Sequence, residues 1–318
     1  IRGSDGGTVL EAGDGADKLV SQGGNDLLYS GGGDDQLFAG NGNDRVYGGD
    51  GFDLLSFDEG VIDVTFSLAV QRAQETNIGS VYAEQVEAVA GTLGNDHISG
   101  NTQDNVLKGA DGDDTLSGGV GSDTIYGDDG ADTFIVISGD GDDQYFGGSG
   151  SDWLDFSNAA LEVRVNLTRS TQSVGTYGND QFDSIENIIG GTDDDTLIGN
   201  SDKNILNGGK GDDYLDGGLE ADTLIGGLGI DTIFGAEGAD TLEGGAGEDI
   251  FVFKAGNGKD LIVDFSIEEG DIVRISGAEF LEFAEVDGYM SIIYSENGLI
   301  GFKNISDIFD ISSSIELI

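Results

Sequence analysis

The sequence contains no cysteine, which removes disulfide stabilisation and thiol chemistry together. It has one histidine, His97, so an H-E-x-x-H zinc motif is excluded. No serine sits in a G-x-S-x-G frame that would support a Ser-His-Asp triad. Basic residues are scarce: 13 stand against 62 acidic ones, a net charge of −49. That balance argues against nucleic acid and anionic membrane surfaces as partners. No apolar run approaches the length of a membrane span. The opening Ile-Arg-Gly-Ser is neither a start nor a signal peptide, so a longer or processed precursor is expected.

What is abundant is glycine, 57 of 318 residues, and it is periodic. From Gly190 to Val252 nine residues recur seven times without a gap: GGTDDDTLI, GNSDKNILN, GGKGDDYLD, GGLEADTLI, GGLGIDTIF, GAEGADTLE, GGAGEDIFV. The sixth place holds Asp195, Asn204, Asp213, Asp222, Asp231, Asp240 and Asp249. The eighth holds Leu197, Leu206, Leu215, Leu224, Ile233, Leu242 and Phe251. A strict short period signals stacked repeats, and a domain count from length then loses its meaning.

Six glycine- and acid-rich residues suit a tight turn. The three that follow make a very short strand whose middle side chain points to one face. One nonapeptide cannot bury that side chain, but two can form a flattened coil with their aliphatics facing inward. Coils stacked at about 4.8 Å give a parallel β-roll with a thin core. Residues eighteen apart, such as Asp213 and Asp231, then lie above one another. Two unpaired carboxylates at that spacing repel by roughly 3.5 kcal/mol at an effective dielectric near 20. A divalent cation between turns removes the conflict, and hard oxygen ligands with tolerant geometry favour calcium over magnesium.

The pattern resembles the RTX, or haemolysin-type, calcium-binding repeat GGxGxDxUx. The resemblance implies an all-β, right-handed parallel β-roll. Each calcium ion lies between turns, held by sixth-place aspartates eighteen residues apart and by turn carbonyls. It also implies export from a Gram-negative bacterium by a type I exporter, with folding on extracellular calcium. Acid and glycine at this level could mean disorder, but the aliphatics keep fixed places. Disorder without calcium and order with it is therefore expected.

Along the chain, residues 1–56 form a first block, opening weakly at Thr8 and continuing through Asp17, Asp26, Asp35, Asp44 and Asp53. Residues 57–90 break the period. Ile62, Val64, Phe66 and Leu68 alternate like a half-buried strand, and a polar stretch able to form helix or loop follows. Residues 91–155 are a second block with Asp96, Asn105, Asp114, Asp123 and Asp132. Val136 and Ile137 then shift the frame before Asp143 and Asp152, which is expected to bend or offset the roll. A second insert, 156–189, repeats the layout of the first at an offset of 99 residues, so a large duplication overlies the small one. The inserts are expected to enlarge a coil, and the neutral Asn105 and Asn204 to leave weak or empty sites. The third block is 190–252.

Residues 253–318 are the richest apolar region, suited to a cap of broader antiparallel strands. They are similar to the segment that closes RTX rolls in secreted proteases and alginate epimerases. There, residues matching Asp260, Asp264 and Asp271 often bind a further ion, although Arg274 stands where that pattern has an acid. The final Ser-Ser-Ser-Ile-Glu-Leu-Ile is similar to type I export signals.

His97 falls in a solvent-facing seventh place, and Trp153 in the same place beside an insert. Tyr126, Tyr145, Tyr214 and Phe234 are ordinary roll positions. Carboxylate pairs on narrow turns suit metal ligation better than glycoside hydrolysis. The sequence thus predicts a non-catalytic calcium-binding roll with on the order of ten ions by the eighteen-residue rule. Its role is read as a secreted surface, matrix or adhesive protein, with calcium-dependent self-association or a surface polysaccharide as partner. The alternative is the calcium-binding, secretion-directing end of a larger hydrolase, epimerase or toxin.

Overall fold

In a computed structural model the structure describes residues 1–57, 62–277, 282–286, 288–295, 297–305 and 314–318. Nearly all its regular elements are strands, most of them three to six residues long. One three-residue 3-10 turn, Gly175–Tyr177, is the exception among the described residues. Strand pairing follows the nonapeptide: Val9 pairs with Leu27 and Leu27 with Arg45, each in parallel and eighteen residues on. Alternate repeats therefore feed alternate sheets. The eighth-place side chains Leu197, Leu206, Leu215, Leu224, Ile233, Leu242 and Phe251 are all fully buried. This is the parallel β-roll expected from the period, with one aliphatic per strand supplying the core.

The chain divides into two compact units. The first comprises Ile1–Trp153 and Tyr177–Ile185. One of its sheets runs Val9–Glu11, Leu27–Gly32, Gly42–Asp50 and Gly79–Glu84. Another runs Lys18–Val20, Gln36–Phe38, Leu54–Ser56, Ala88–Ala90, Val106–Asp111, Thr124–Asp129, Gln144–Ser149 and Asn179–Asp183. A third begins at Thr65–Ser67 and continues through His97–Ser99, Thr115–Ser117 and Thr133–Ile135. The first insert thus closes one sheet, opens another and adds a strand to the third. Its polar stretch is no helix: Gln74–Thr76 pairs antiparallel with the start of Gly79–Glu84.

Two details differ from the sequence reading. Ile62 is 43% exposed: it lies ahead of the strand Thr65–Ser67, where its carbonyl accepts the Thr92 hydroxyl at 2.9 Å. Only Val64, Phe66 and Leu68 of the alternating set are buried, Phe66 within the three-residue strand Thr65–Ser67 and the other two flanking it. Leu161 in the second insert is likewise exposed. The two extra residues Val136 and Ile137 do not break the ladder. Val136 is buried, and pairing resumes at a twenty-residue offset, Thr124 with Gln144.

The second unit comprises Leu154–Thr176 and Glu186–Ile318. One sheet runs Arg164–Asn166, Thr196–Ile198, Tyr214–Asp216, Thr232–Phe234, Ile250–Lys254, Ile272–Ser276 and Ile315–Leu317, parallel throughout its recorded pairs. The facing sheet includes Asn187–Ile189, Ile205–Lys210, Thr223–Leu228, Thr241–Ala246, Lys259–Ile262 and Leu299–Phe302. Among the described residues of the cap the antiparallel strands are Glu282–Val286 and Tyr289–Ile293, which extend from Leu299–Phe302. The expected antiparallel cap is therefore mixed, since longer turns still deliver strands in parallel. Of the expected export segment, Ser312 and Ser313 lie outside the described residues, and Ile315–Leu317 is the last parallel strand.

Candidate metal centre

The sixth residue of each repeat ends the turn and leads into the strand, so its side chain lies under the neighbouring coil. Its Oδ1 accepts the main-chain N–H of the sixth residue one coil earlier. The distances are 2.8 Å for Asp26 to Asp44, 3.0 Å for Asp35 to Asp53 and 2.8 Å for Asp114 to Asp132. They are 2.7 Å for Asp195 to Asp213, 2.8 Å for Asp213 to Asp231 and 3.0 Å for Asp231 to Asp249. Where coils are longer the bond survives. Asp123 donates to Asp143, Asp132 to Asp152, Asp240 to Asp260 and Asp249 to Asp271. The column is built by the backbone and runs through every block.

Glycine makes room for it. At Gly226, the first place of a repeat, an added Cβ would overlap Oδ2 of Asp231. At Gly229, the fourth place, φ is +133° and an added Cβ would collide with the carbonyl of Gly211 one coil earlier. Only glycine combines that angle with that approach.

The second carboxylate oxygen is placed differently. Oδ2 of Asp26, Asp35, Asp44, Asp53, Asp114, Asp123, Asp132, Asp180, Asp213, Asp222, Asp231, Asp240 and Asp260 is buried with no hydrogen-bond partner. A buried carboxylate left unpaired is costly, and a group so placed takes up a proton unless a cation neutralises it. Burial, reinforced by neighbouring carboxylates, pushes Asp114 up to about 8 and Asp213 and Asp231 up to about 7. Burial likewise pushes Asp44 and Asp132 up to about 6. So many orphaned acceptors, recurring at the sixth place, fit a cation-binding edge.

The two asparagines serve as an internal control. Asn105 accepts from the Asn101 N–H at 2.8 Å and donates to the Glu87 carbonyl at 3.1 Å. Asn204 does the same with Asn200 and the Glu186 carbonyl, at 2.8 and 2.6 Å. Neither side chain is orphaned. The column thus needs no counter-charge where an amide replaces the acid.

Other sequence candidates sit differently. Asp96 and Asp195, which start columns, have both oxygens bonded to main-chain N–H groups. Asp271 accepts from Asp249 and Ser266, and Asp264 from Gly244 and Gly245, so these too are satisfied. Asp143 bonds the Tyr145 hydroxyl at 3.1 Å through its Oδ2. Asp17 heads its column half-buried, its N–H bonded to Asp35. Asp222 follows Asn204, and Asp240 follows Asp222. His97 is exposed and takes no part.

Sequence reasoning missed three acids. Glu87 receives the Asp53 N–H at 3.0 Å, standing in for the next aspartate of that column. Asp140 is buried beside Asp143 and pushed up to about 7, chiefly by burial. Asp180 receives the Asp143 N–H at 3.0 Å. Its signal was legible in Gly178-Asn179-Asp180-Gln181-Phe182, the second half of a nonapeptide without its leading glycines.

Among the described residues no three acidic, histidine or cysteine side chains converge on one point. Fewer than three such side chains meet at any one point, so turn carbonyls would supply the further oxygens a calcium shell needs. An all-oxygen donor set of this kind suits calcium and not zinc.

The family described as RTX calcium-binding nonapeptide repeat (4 copies) matches residues 2–37, 21–55, 90–125, 108–136, 125–154, 189–224, 216–251 and 225–261. Together these spans exceed half of the chain. No curated protein matches. Among solved structures, the chain is similar to the extracellular lipase LipA from Serratia marcescens, at 18% identity and a TM-score of 0.26. The likeness covers 74% of this chain and 40% of the lipase, so the chain spans less than half of that protein's length.

Proposed function

This chain belongs to the RTX calcium-binding nonapeptide repeat family, and from that premise we propose that it is a secreted scaffold whose fold is completed by extracellular calcium. The observation that carries the reading is the row of buried, partnerless Oδ2 atoms, interrupted where asparagine replaces aspartate. Asp26, Asp35, Asp44, Asp53, Asp114, Asp123, Asp132, Asp213, Asp222, Asp231, Asp240 and Asp260 would hold the ions through that oxygen. Calcium would supply the positive charge that lets neighbouring turns carry ionised carboxylates. Extracellular modules bind calcium with dissociation constants of about 10⁻⁴–10⁻³ M. The chain would therefore stay unfolded in the cytosol and fold after export. Equilibrium dialysis against calcium, with magnesium as competitor, tests this. On the order of ten calcium ions bound and not displaced supports it, as expected for stacked oxygen sites. One ion or none overturns it.

A surface or matrix role draws on a second observation. Four of the six arginines lie in two clefts. Arg45 and Arg72 share one with Tyr47 and Tyr82; Arg164 and Arg169 share the other with Thr171, Gln172 and Ser173. Guanidinium groups beside tyrosine faces or hydroxyls suit a sugar chain bearing carboxylates. Retention on an immobilised polyuronate, lost in Arg45→Ala/Arg72→Ala, supports the role. Equal elution of both proteins contradicts it.

A further inference from the structure

The second insert carries an acid that the first lacks. Asp180 lies outside the matched nonapeptides, yet it occupies the place a sixth-place aspartate would take. Gln144 pairs with Gln181 and Tyr145 with Phe182, which sets Asp143 and Asp180 one coil apart. Oδ1 of Asp180 accepts the Asp143 N–H, as in every regular step of the column. The side chain is fully buried and its Oδ2 has no partner. The turn is copied too: Gly141 and Gly178 both have positive φ, and an added Cβ on Gly178 would strike the Gly141 carbonyl. Tyr145 and Phe182 stack at 5.7 Å directly below, so the aromatic pair continues the core under this turn. Asp140, buried beside Asp143, adds a further carboxylate to the same edge.

The first insert shows the opposite case. There Asp44 pairs with Val81, and the chain runs on as regular strand, Gly42–Asp50 against Gly79–Glu84. No carboxylate follows Asp44 in that column. At this place of the column the two offset inserts differ, with valine in the first and aspartate in the second.

We infer that Asp180 and Asp143 build an additional calcium site between a regular turn and the second insert, an ion-binding step contributed by sequence outside the repeats. Asp180 would ligate through Oδ2, Asp143 through the carboxylate that Tyr145 steadies, and turn carbonyls would complete an oxygen shell. The site gives the insert a function of its own: it carries the ion column one coil past the last nonapeptide of the second block. The inference rests on the calcium reading above.

Native mass spectrometry of the calcium-loaded chain and of Asp180→Asn tests it. The amide keeps the Oδ1 acceptor for the Asp143 N–H and removes only the charge. The expected result is one calcium ion fewer in Asp180→Asn, with the other ions retained. Equal counts overturn the inference while leaving the calcium-folding reading intact. No calcium in the unmutated chain sinks that reading instead. Should Asp180→Asn not fold, strontium-loaded crystals of the unmutated chain decide. An anomalous peak within ligand distance of Asp180 Oδ2 supports the site, and a water or nothing there overturns it.

Discussion

At the scale of single residues, the account turns on how one carboxylate is divided. Oδ1 is fixed by a main-chain N–H of the neighbouring coil, and at many turns Oδ2 has no partner and would be free to meet a cation. Removing the side chain removes both functions. Asp231→Ala is expected to lose calcium at the two turns it serves. Each site lost lowers stability by about 2.7 kcal/mol when calcium is a hundredfold above its dissociation constant. Denaturant midpoints measured with and without calcium check this. A deficit of equal size in chelator would assign the effect to packing. The reverse change, Asn204→Asp, should add an ion, because the Asn200 N–H and Glu186 carbonyl now satisfy the amide.

The same carboxylates give a pH dependence whose sign is set. Without an ion, Asp44 is pushed up to about 6, Asp213 to about 7 and Asp114 to about 8, from an ordinary 3.8. Below the ordinary value both folded and unfolded chains are protonated, and these groups contribute nothing. As pH rises, the unfolded chain ionises first, and the ion-free roll loses stability until its own carboxyls have ionised. The calcium-free roll is therefore weakest above about pH 8 and recovers on acidification toward the ordinary aspartate pKa. Calcium has the opposite trend: its apparent affinity rises with pH across that window, and binding releases protons. Calorimetry in buffers of different ionisation enthalpy measures the release. A buffer-independent heat near pH 6–7, where these carboxyls titrate, would contradict it.

At the scale of the element, each strand contributes little more than one buried side chain, so stability is spread thinly along the stack. Leu224 is fully buried in Thr223–Leu228, between strands Ile205–Lys210 and Thr241–Ala246. Leu224→Ala is expected to cost about 2–5 kcal/mol, as for other core truncations. The loss should appear in calcium-loaded protein as a lower melting temperature. An unchanged melting temperature would mean the aliphatic row is not the core.

The elements also mark what a reader of the sequence could and could not see. The sixth and eighth places were legible because turn and strand alternate with a fixed period, and the structure buries both rows. The inserts were not, because their contributions are split. Thr65–Ser67, Gly79–Glu84 and Ala88–Ala90 enter three different sheets, which no single period expresses. Glu87 was missed because it reaches the Asp53 N–H from 34 residues away, off the eighteen-residue rule. Asp180 was missed because half a motif without its leading glycines, outside any unbroken run of nines, looks like ordinary loop. Ile62 was placed inside because alternation alone does not tell a strand's first residue from the turn before it.

At the scale of the molecule, a net charge of −49 opposes any compact state until it is partly neutralised. Ten calcium ions, to order of magnitude, would cancel about twenty of those charges, and at the sites where water cannot. Neighbouring ions would share an aspartate, since Asp35 is bonded to Asp17 on one side and to Asp53 on the other. Binding should therefore be cooperative along each column, with breaks at Asn105 and Asn204. The claim beneath all of this is that calcium makes the fold possible. Far-ultraviolet circular dichroism during a calcium titration, with magnesium as control, tests it most directly. The account predicts a disordered spectrum in chelator and a cooperative gain of β signal with calcium alone; a full β spectrum in chelator, unchanged by either ion, would contradict it.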